Sequence, residues 1–178
     1  MNDAVEAAFK AGIVVTVASG NYGVSILLPK HPIAIDTFHN LNSQINFQIQ
    51  ELAVNFSPAS AHEALTVAAT DILDVQTEWS NYGIVVDFQA PGDHIRSAWI
   101  DFGSNKNNNS AVLSGTSMAS PHVAGLVSYI MCTEEIRTPR IIRERLRQFA
   151  IPGVVKAAGN TTPNFLAYNG IDQSDSDA

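Results

Sequence analysis

The sequence predicts an α/β fold. A helix-periodic segment leads straight into a short apolar run, and two more apolar, β-branched runs follow downstream. After residue 113 the apolar period turns helical and stays so to residue 150. Helices alternating with strands that are apolar on both faces point to a parallel sheet covered by helices.

Residues 2–12, NDAVEAAFKAG, read as the first helix: Asn2 or Asp3 caps it, Val5, Ala8 and Phe9 share a face, and Gly12 ends it. IVVTVA (13–18) is nearly all apolar and rich in β-branched residues, as expected of a strand covered on both faces. ALTVAAT (64–70), GIVVDFQA (83–90) and HIRSAWI (94–100) are further strands bounded by Asn, Gly and Pro, and the first two suit a parallel sheet. Met118 to Met131 is apolar nearly all round, the pattern of a helix buried inside a domain, and Pro121 fixes its start near Ser117. TPRIIRERLRQFA (138–150) is amphipathic, with Ile141, Ile142, Leu146 and Phe149 inward and Arg143, Glu144 and Arg147 toward water. Residues 1–170 form one domain, and the acidic end IDQSDSDA (171–178) reads as a disordered tail.

A chain of 178 residues that is 46% hydrophobic buries one core. With a net charge of −7 and no run of basic residues, neither nucleic acid nor an anionic membrane is expected as a partner. Cys132 is the lone cysteine, which excludes an internal disulfide and a multi-cysteine metal site; its apolar neighbourhood GLVSYIMC reads as a buried, inert thiol. No apolar stretch reaches the ~18 residues of a membrane span, and the polar, acidic start MNDAVEAAFKAG does not read as a signal peptide.

The segment SGTSMASPHVAG (114–125) is the candidate for chemistry. A glycine-flanked turn between a strand and a helix presents Ser117 where the helix's free N–H groups and positive end would meet an oxyanion. The spacing leaves two readings open, a plain helix start and a nucleophile. His122 is not its base, because five helical positions turn its side chain about 140° away from that of Ser117.

The whole string GTSMASPHVAG resembles the active-site serine motif of the subtilisin-like serine proteases, in their proteinase K-like branch. AFKAGIVVTVASGN, NFSPASAHEALTVAATD, WSNYGIVVDFQAPGDHIRSAWI and TPNFLAYNG are similar to the family in the same order. The resemblance implies the C-terminal part of a three-layer catalytic domain, with a parallel sheet and helices on both faces. It implies a serine-type endopeptidase working by acyl transfer on polypeptides, with no cofactor needed for the chemistry. By that resemblance Ser117 is the nucleophile, Asn21 the side-chain donor to the oxyanion, and the Ser117 N–H the second donor. Ala18, Ser19 and Gly20 would line the substrate's side-chain pocket, and His122 is a structural part of the motif. Asp87 coincides with a carboxylate that binds structural calcium together with two backbone carbonyls, here those of His62 and Ala64; a capping or turn role for Asp87 stands beside that reading. The family is extracellular, and Asn55, Asn108 and Asn160 lie in Asn-x-Ser/Thr sequons.

Two departures qualify these expectations. The family order is Asp, His, Ser, yet the residues before Asn21 contain Asp3 and no histidine. The chain alone is therefore expected to be inactive, with the N-terminal half of the domain as its missing partner; the alternative is a non-catalytic pseudoenzyme or peptide-binding fragment. Residues 22–54 lack a 2.0 or 3.6 period and occupy the place of a much shorter loop, so they read either as a surface insertion or as an unspliced intron.

Overall fold

A computed structural model describes residues 1–23, 53–100, 109–159 and 161–171. The atypical part of the segment 22–54, the tail beyond residue 171 and the sequons at Asn108 and Asn160 fall largely or wholly outside the described residues. In chain order the elements are α1 (Asn2–Lys10), β1 (Thr16–Ala18), a 3-10 turn (Ala53–Asn55), β2 (Leu65–Thr70), β3 (Phe88–Pro91), β4 (Ile95–Ala98), β5 (Ser110–Leu113), α2 (Thr116–Thr133), α3 (Pro139–Phe149), β6 (Ile151–Pro152) and β7 (Phe165–Leu166).

The main sheet runs β1-β2-β3-β7-β6, parallel from β1 to β7, with β6 added antiparallel. Its register sets Thr16 beside Leu65, Val67 beside Phe88 and Gln89 beside Leu166. β2 is the central element: all six of its residues are buried, as an unbroken apolar-and-threonine strand in a parallel sheet should be. One face packs Leu65, Val67, Ala69, Phe88 and Ala90 against Ala119, Val123, Val127 and Ile130 of α2 and Ile142 and Leu146 of α3. On the other, Val5 of α1 meets Val17, Ala61 and Ala64, while Ala53, Ala59, Ala68 and Val86 form a neighbouring cluster. The three layers expected from the sequence are therefore present, and just before β1 the chain packs Val14 against the cluster that includes α2 and Val15 against the one that includes Val5 of α1.

Several local expectations are corrected. Neither Asn2 nor Asp3 caps α1: Met1 stands at the N-cap, and Asn2 instead joins Ser60 and Ser57 across the α1–loop contact. The run 83–90 becomes strand only from Phe88, and a second small sheet, the β4–β5 hairpin, uses residues 110–113 that carry no strand alternation in the sequence. Cys132 is exposed, as are Ser128 and Tyr129, because α2 buries one side only. Position 132 lies about 180° around the helix from Val123. Ile141 is exposed, whereas Arg143 is turned inward, for a reason given below. No helix among the described residues is long and apolar enough to cross a membrane.

Candidate active site

The C-terminal ends of β1, β2 and β3 carry the loops that meet the start of α2. Beyond β1, Ser19 donates its N–H to Val67 O at 2.9 Å and its hydroxyl to Asn81 O at 3.1 Å. Asn81, fully buried, then clamps the following loop: its Nδ2 donates to Ser19 O at 2.9 Å and its Oδ1 accepts the Tyr22 N–H at 3.0 Å. Its own N–H donates to Gly20 O at 2.9 Å. Gly20 has φ +108°, and a Cβ there would stand 2.3 Å from Asn81 Nδ2, so the turn that presents Asn21 admits only glycine.

The start of α2 is held at the same edge by a second glycine. Gly115 donates its N–H to Gly92 O at 2.8 Å, an approach possible because a Cβ on Gly92 would lie 2.6 Å from Ala69 Cβ and 2.9 Å from Gly115 O. Gly115 is the N-cap of α2 and offers no side-chain acceptor. Asn21 supplies it from 95 residues away: its Oδ1 accepts both the Thr116 N–H and the Thr116 hydroxyl, each at 2.8 Å. The backbone N–H is an obligate donor, so the atom facing it must be the amide oxygen and the amide nitrogen must face the other way. Thr116 Oγ1 in turn accepts the Gly20 N–H at 3.2 Å, closing a ring between the Asn21 loop and the helix.

Two donor nitrogens come close to one point. The position a Cβ would take on Gly115 lies 3.3 Å from Asn21 Nδ2 and 3.7 Å from Ser117 N, and Ser117 itself is exposed beside it. A partial positive charge from the end of the 18-residue α2 adds to the same point. Such an arrangement suits an anion that forms next to the Ser117 hydroxyl.

A family model described as the subtilase family, Peptidase S8, matches residues 1–173. The chain belongs to the subtilase family. Subtilisin-like protease 2 of Trichophyton equinum is 40% identical over 172 residues, covering 97% of this chain and 33% of that protein. Alkaline protease 1 of Aspergillus flavus is 40% identical over 169 residues, covering 95% of this chain and 34% of that protein. A crystal structure of a cold adapted subtilisin-like serine proteinase superposes with a TM-score of 0.72 at 29% identity, covering 96% of this chain and 50% of the other. The chain thus spans about a third of the length of these curated relatives.

Within this subtilase chain the structure brings Ala18, Gly20, Asn21 and Ser117 to one edge, but not in equal roles. Ser19 has no exposed surface, and its N–H, carbonyl and hydroxyl are all used internally, so it cannot touch a substrate and serves as an anchor for the loop. Ala18 and Gly20 remain half-buried at the rim. His122 Nδ1 lies 2.8 Å from Met118 O, directed along its own helix as the 140° separation requires. Thr116, Asn81 and Gly92 were not singled out by sequence reasoning, because each acts through a partner distant in the chain; the Gly in APG after a strand and the Asn in WSNYG are the only local signals.

The other expected site, at Asp87, lies between the sheet and α3. Burial pushes the Asp87 carboxyl above its ordinary value, opposed by the charge of Arg143, the Thr66 N–H and the charge of Arg147. Thr66 N–H donates to Oδ2 at 3.0 Å and Arg147 Nη2 to Oδ1 at 3.2 Å, with Arg143 Nε 3.8 Å from the same Oδ1. Arg143 Nη2 donates to the carbonyls of both His62, at 2.9 Å, and Ala64. The three oxygens that the resemblance offered to calcium face guanidinium groups, and so arranged they do not fit a metal cation.

Proposed function

We propose that this chain is the nucleophile-bearing part of a secreted subtilisin-like serine endopeptidase that cuts polypeptides by acyl transfer. Ser117 Oγ attacks the scissile carbonyl carbon, and the carbonyl oxygen becomes an oxyanion that accepts hydrogen bonds from Asn21 Nδ2 and the Ser117 N–H. The serine proton passes to a histidine that belongs to the upstream part of the domain, which returns it to the leaving amine; water then attacks the acyl-enzyme through the same base. The observation that carries this reading is the convergence of the two donors beside Gly115 at the exposed Ser117. These donors are fixed before substrate arrives, so they favour charge that develops only in the transition state. Outside the cell, Asn55 of the sequon Asn-Phe-Ser is exposed and open to a glycan.

Among the described residues no hydrogen bond joins Ser117 to a histidine: the His122 ring is directed to Met118 O and the His94 ring to Asp93, each at 2.8 Å. The isolated chain is therefore without turnover; in subtilisin, a member of the same family, loss of the histidine alone costs about six orders of magnitude. The test is hydrolysis of a fluorogenic peptide by the isolated chain and by the chain extended with the aspartate- and histidine-bearing part of a subtilase domain. Cleavage only by the extended protein, abolished by Ser117→Ala, supports the proposal. Ser117-dependent cleavage by the isolated chain, or cleavage that survives Ser117→Ala, refutes it.

A further inference from the structure

The oxygens around Asp87 form a cluster with no hydrogen of its own to share: two backbone carbonyls, from His62 and Ala64, and a carboxylate that is only 10% exposed. Grouped acceptors of this kind repel one another unless a cation sits among them. α3 supplies that cation. Arg143 and Arg147 are four residues apart and so project from one side of the helix toward the recess of about 270 Å³ lined by Ser60, His62, Ala64, Asp87 and the two arginines. Arg143 reaches deepest, with 19% of its side chain exposed against 46% for Arg147. One nitrogen of its guanidinium bridges the two carbonyls while Nε approaches the carboxylate, a planar fork matched to oxygens in different directions.

We infer that the Arg143 guanidinium is the resident cation of this oxygen cluster, standing where a calcium ion would otherwise be bound, so that the junction of α3 with the β2 and β3 approaches is held without metal. Calcium takes six to eight oxygens at about 2.3–2.6 Å, and a guanidinium in contact with the same carbonyls both fills that space and repels a divalent ion. The exchange has a physical consequence. A bound metal stabilises by mass action and is lost to a chelator, whereas a covalently tethered cation contributes at any ion concentration. It also ties a helix near the C-terminus to loops about eighty residues earlier, with the separations His62–Arg143 and Ala64–Arg143 of 81 and 79.

The test is thermal unfolding of the 178-residue chain in excess chelator and in millimolar calcium, for the unchanged protein, Asp87→Asn, Arg143→Gln and Arg143→Lys. For the unchanged protein, no rise in Tm with calcium, or a rise that Asp87→Asn leaves intact, supports the inference; a rise that Asp87→Asn abolishes overturns it. Arg143→Gln removes the charge that bridges the His62 and Ala64 carbonyls and leaves Arg147 and the Thr66 N–H as the partners of Asp87, and a Tm lower by several degrees in chelator with partial recovery in calcium is expected. A Gln variant as stable as the unchanged protein in chelator overturns the inference. Should Arg143→Gln not fold in either solution, the charge-retaining Arg143→Lys decides: a folded, calcium-insensitive Lys variant supports a tethered cation, and one whose Tm rises in calcium contradicts it.

Discussion

Gly115→Ala separates what the active-site edge does for folding from what it does for catalysis. Gly115 lies in extended backbone, φ 162° and ψ 157°, which an alanine adopts without strain. The added methyl would meet Asn21 Nδ2 at 3.3 Å, Met118 Sδ at 3.5 Å and Ser117 N at 3.7 Å, contacts that are close but need at most a few tenths of an ångström of adjustment. Against this small cost, replacing glycine narrows the unfolded ensemble by about 0.4–1 kcal/mol, so the net change in stability is expected within about 1 kcal/mol of zero. The same methyl, however, stands within contact distance of both nitrogens proposed as oxyanion donors. Loss of one such donor costs about 10²–10³ in kcat, a magnitude measured in subtilisin itself. The assay pairs urea unfolding of the chain with peptide hydrolysis by the form carrying its upstream half. An activity drop of about two orders of magnitude or more at near-unchanged stability is expected. Activity within about threefold of the unchanged protein would show that the two donors do not share an oxyanion, and a loss of several kcal/mol would show that the backbone argument is wrong.

Other consequences are testable separately. Asn81→Ala removes two side-chain hydrogen bonds to the Asn21 loop and leaves the buried Ser19 carbonyl unpaired, so a destabilisation of about 2–4 kcal/mol in urea unfolding is expected; less than about 0.5 kcal/mol would refute the clamp. The Ser114 hydroxyl, at 2.7 Å, and the His94 ring hold the Asp93 carboxyl below its ordinary 3.8. A depressed acid contributes stability above its unfolded pKa and loses it as pH falls through the folded one, so this contribution is complete at higher pH, begins to fade near about pH 4 and is lost below the lowered folded value. Ser114→Ala should move the Asp93 titration, followed by carboxyl NMR shifts, upward; an unmoved midpoint contradicts the assignment. Cys132, being exposed, should react stoichiometrically with a thiol reagent in the native chain, and protection until denaturant is added would mean that α2 is covered on that side.

The parts legible in the sequence are those fixed by local pattern. β2 reads as buried because each of its residues from Leu65 to Thr70 is small, apolar or a threonine, and α3 starts at Pro139 where a proline at N1 belongs. The family was legible because the motif around Ser117 is contiguous. Features that depend on a distant partner were not. Polarity alone assigns Arg143 to water, yet Asp87 and the carbonyls at 62 and 64 wait on the inner side of α3. Asn21 reads as a donor by resemblance, but its oxygen also caps α2, a task visible only once the two segments meet. Cys132 was misplaced because a run apolar all round does not say which side the sheet occupies; the contacts of Val123, Val127 and Ile130 do.

The most direct measurement is covalent labelling by a serine-directed phosphonate, with the modified residue located by mass spectrometry. In the chain extended by the aspartate- and histidine-bearing half, Ser117 should be labelled, and Asn21→Leu should slow the reaction by about 10²–10³ because the phosphonyl oxygen uses the same donors. The isolated 178-residue chain, with no base against Ser117 among the described residues, should remain unlabelled over the same interval. Labelling of a different serine, a rate indifferent to Asn21, or equal labelling of the isolated chain would contradict the assignment of Ser117 and Asn21 as one catalytic unit.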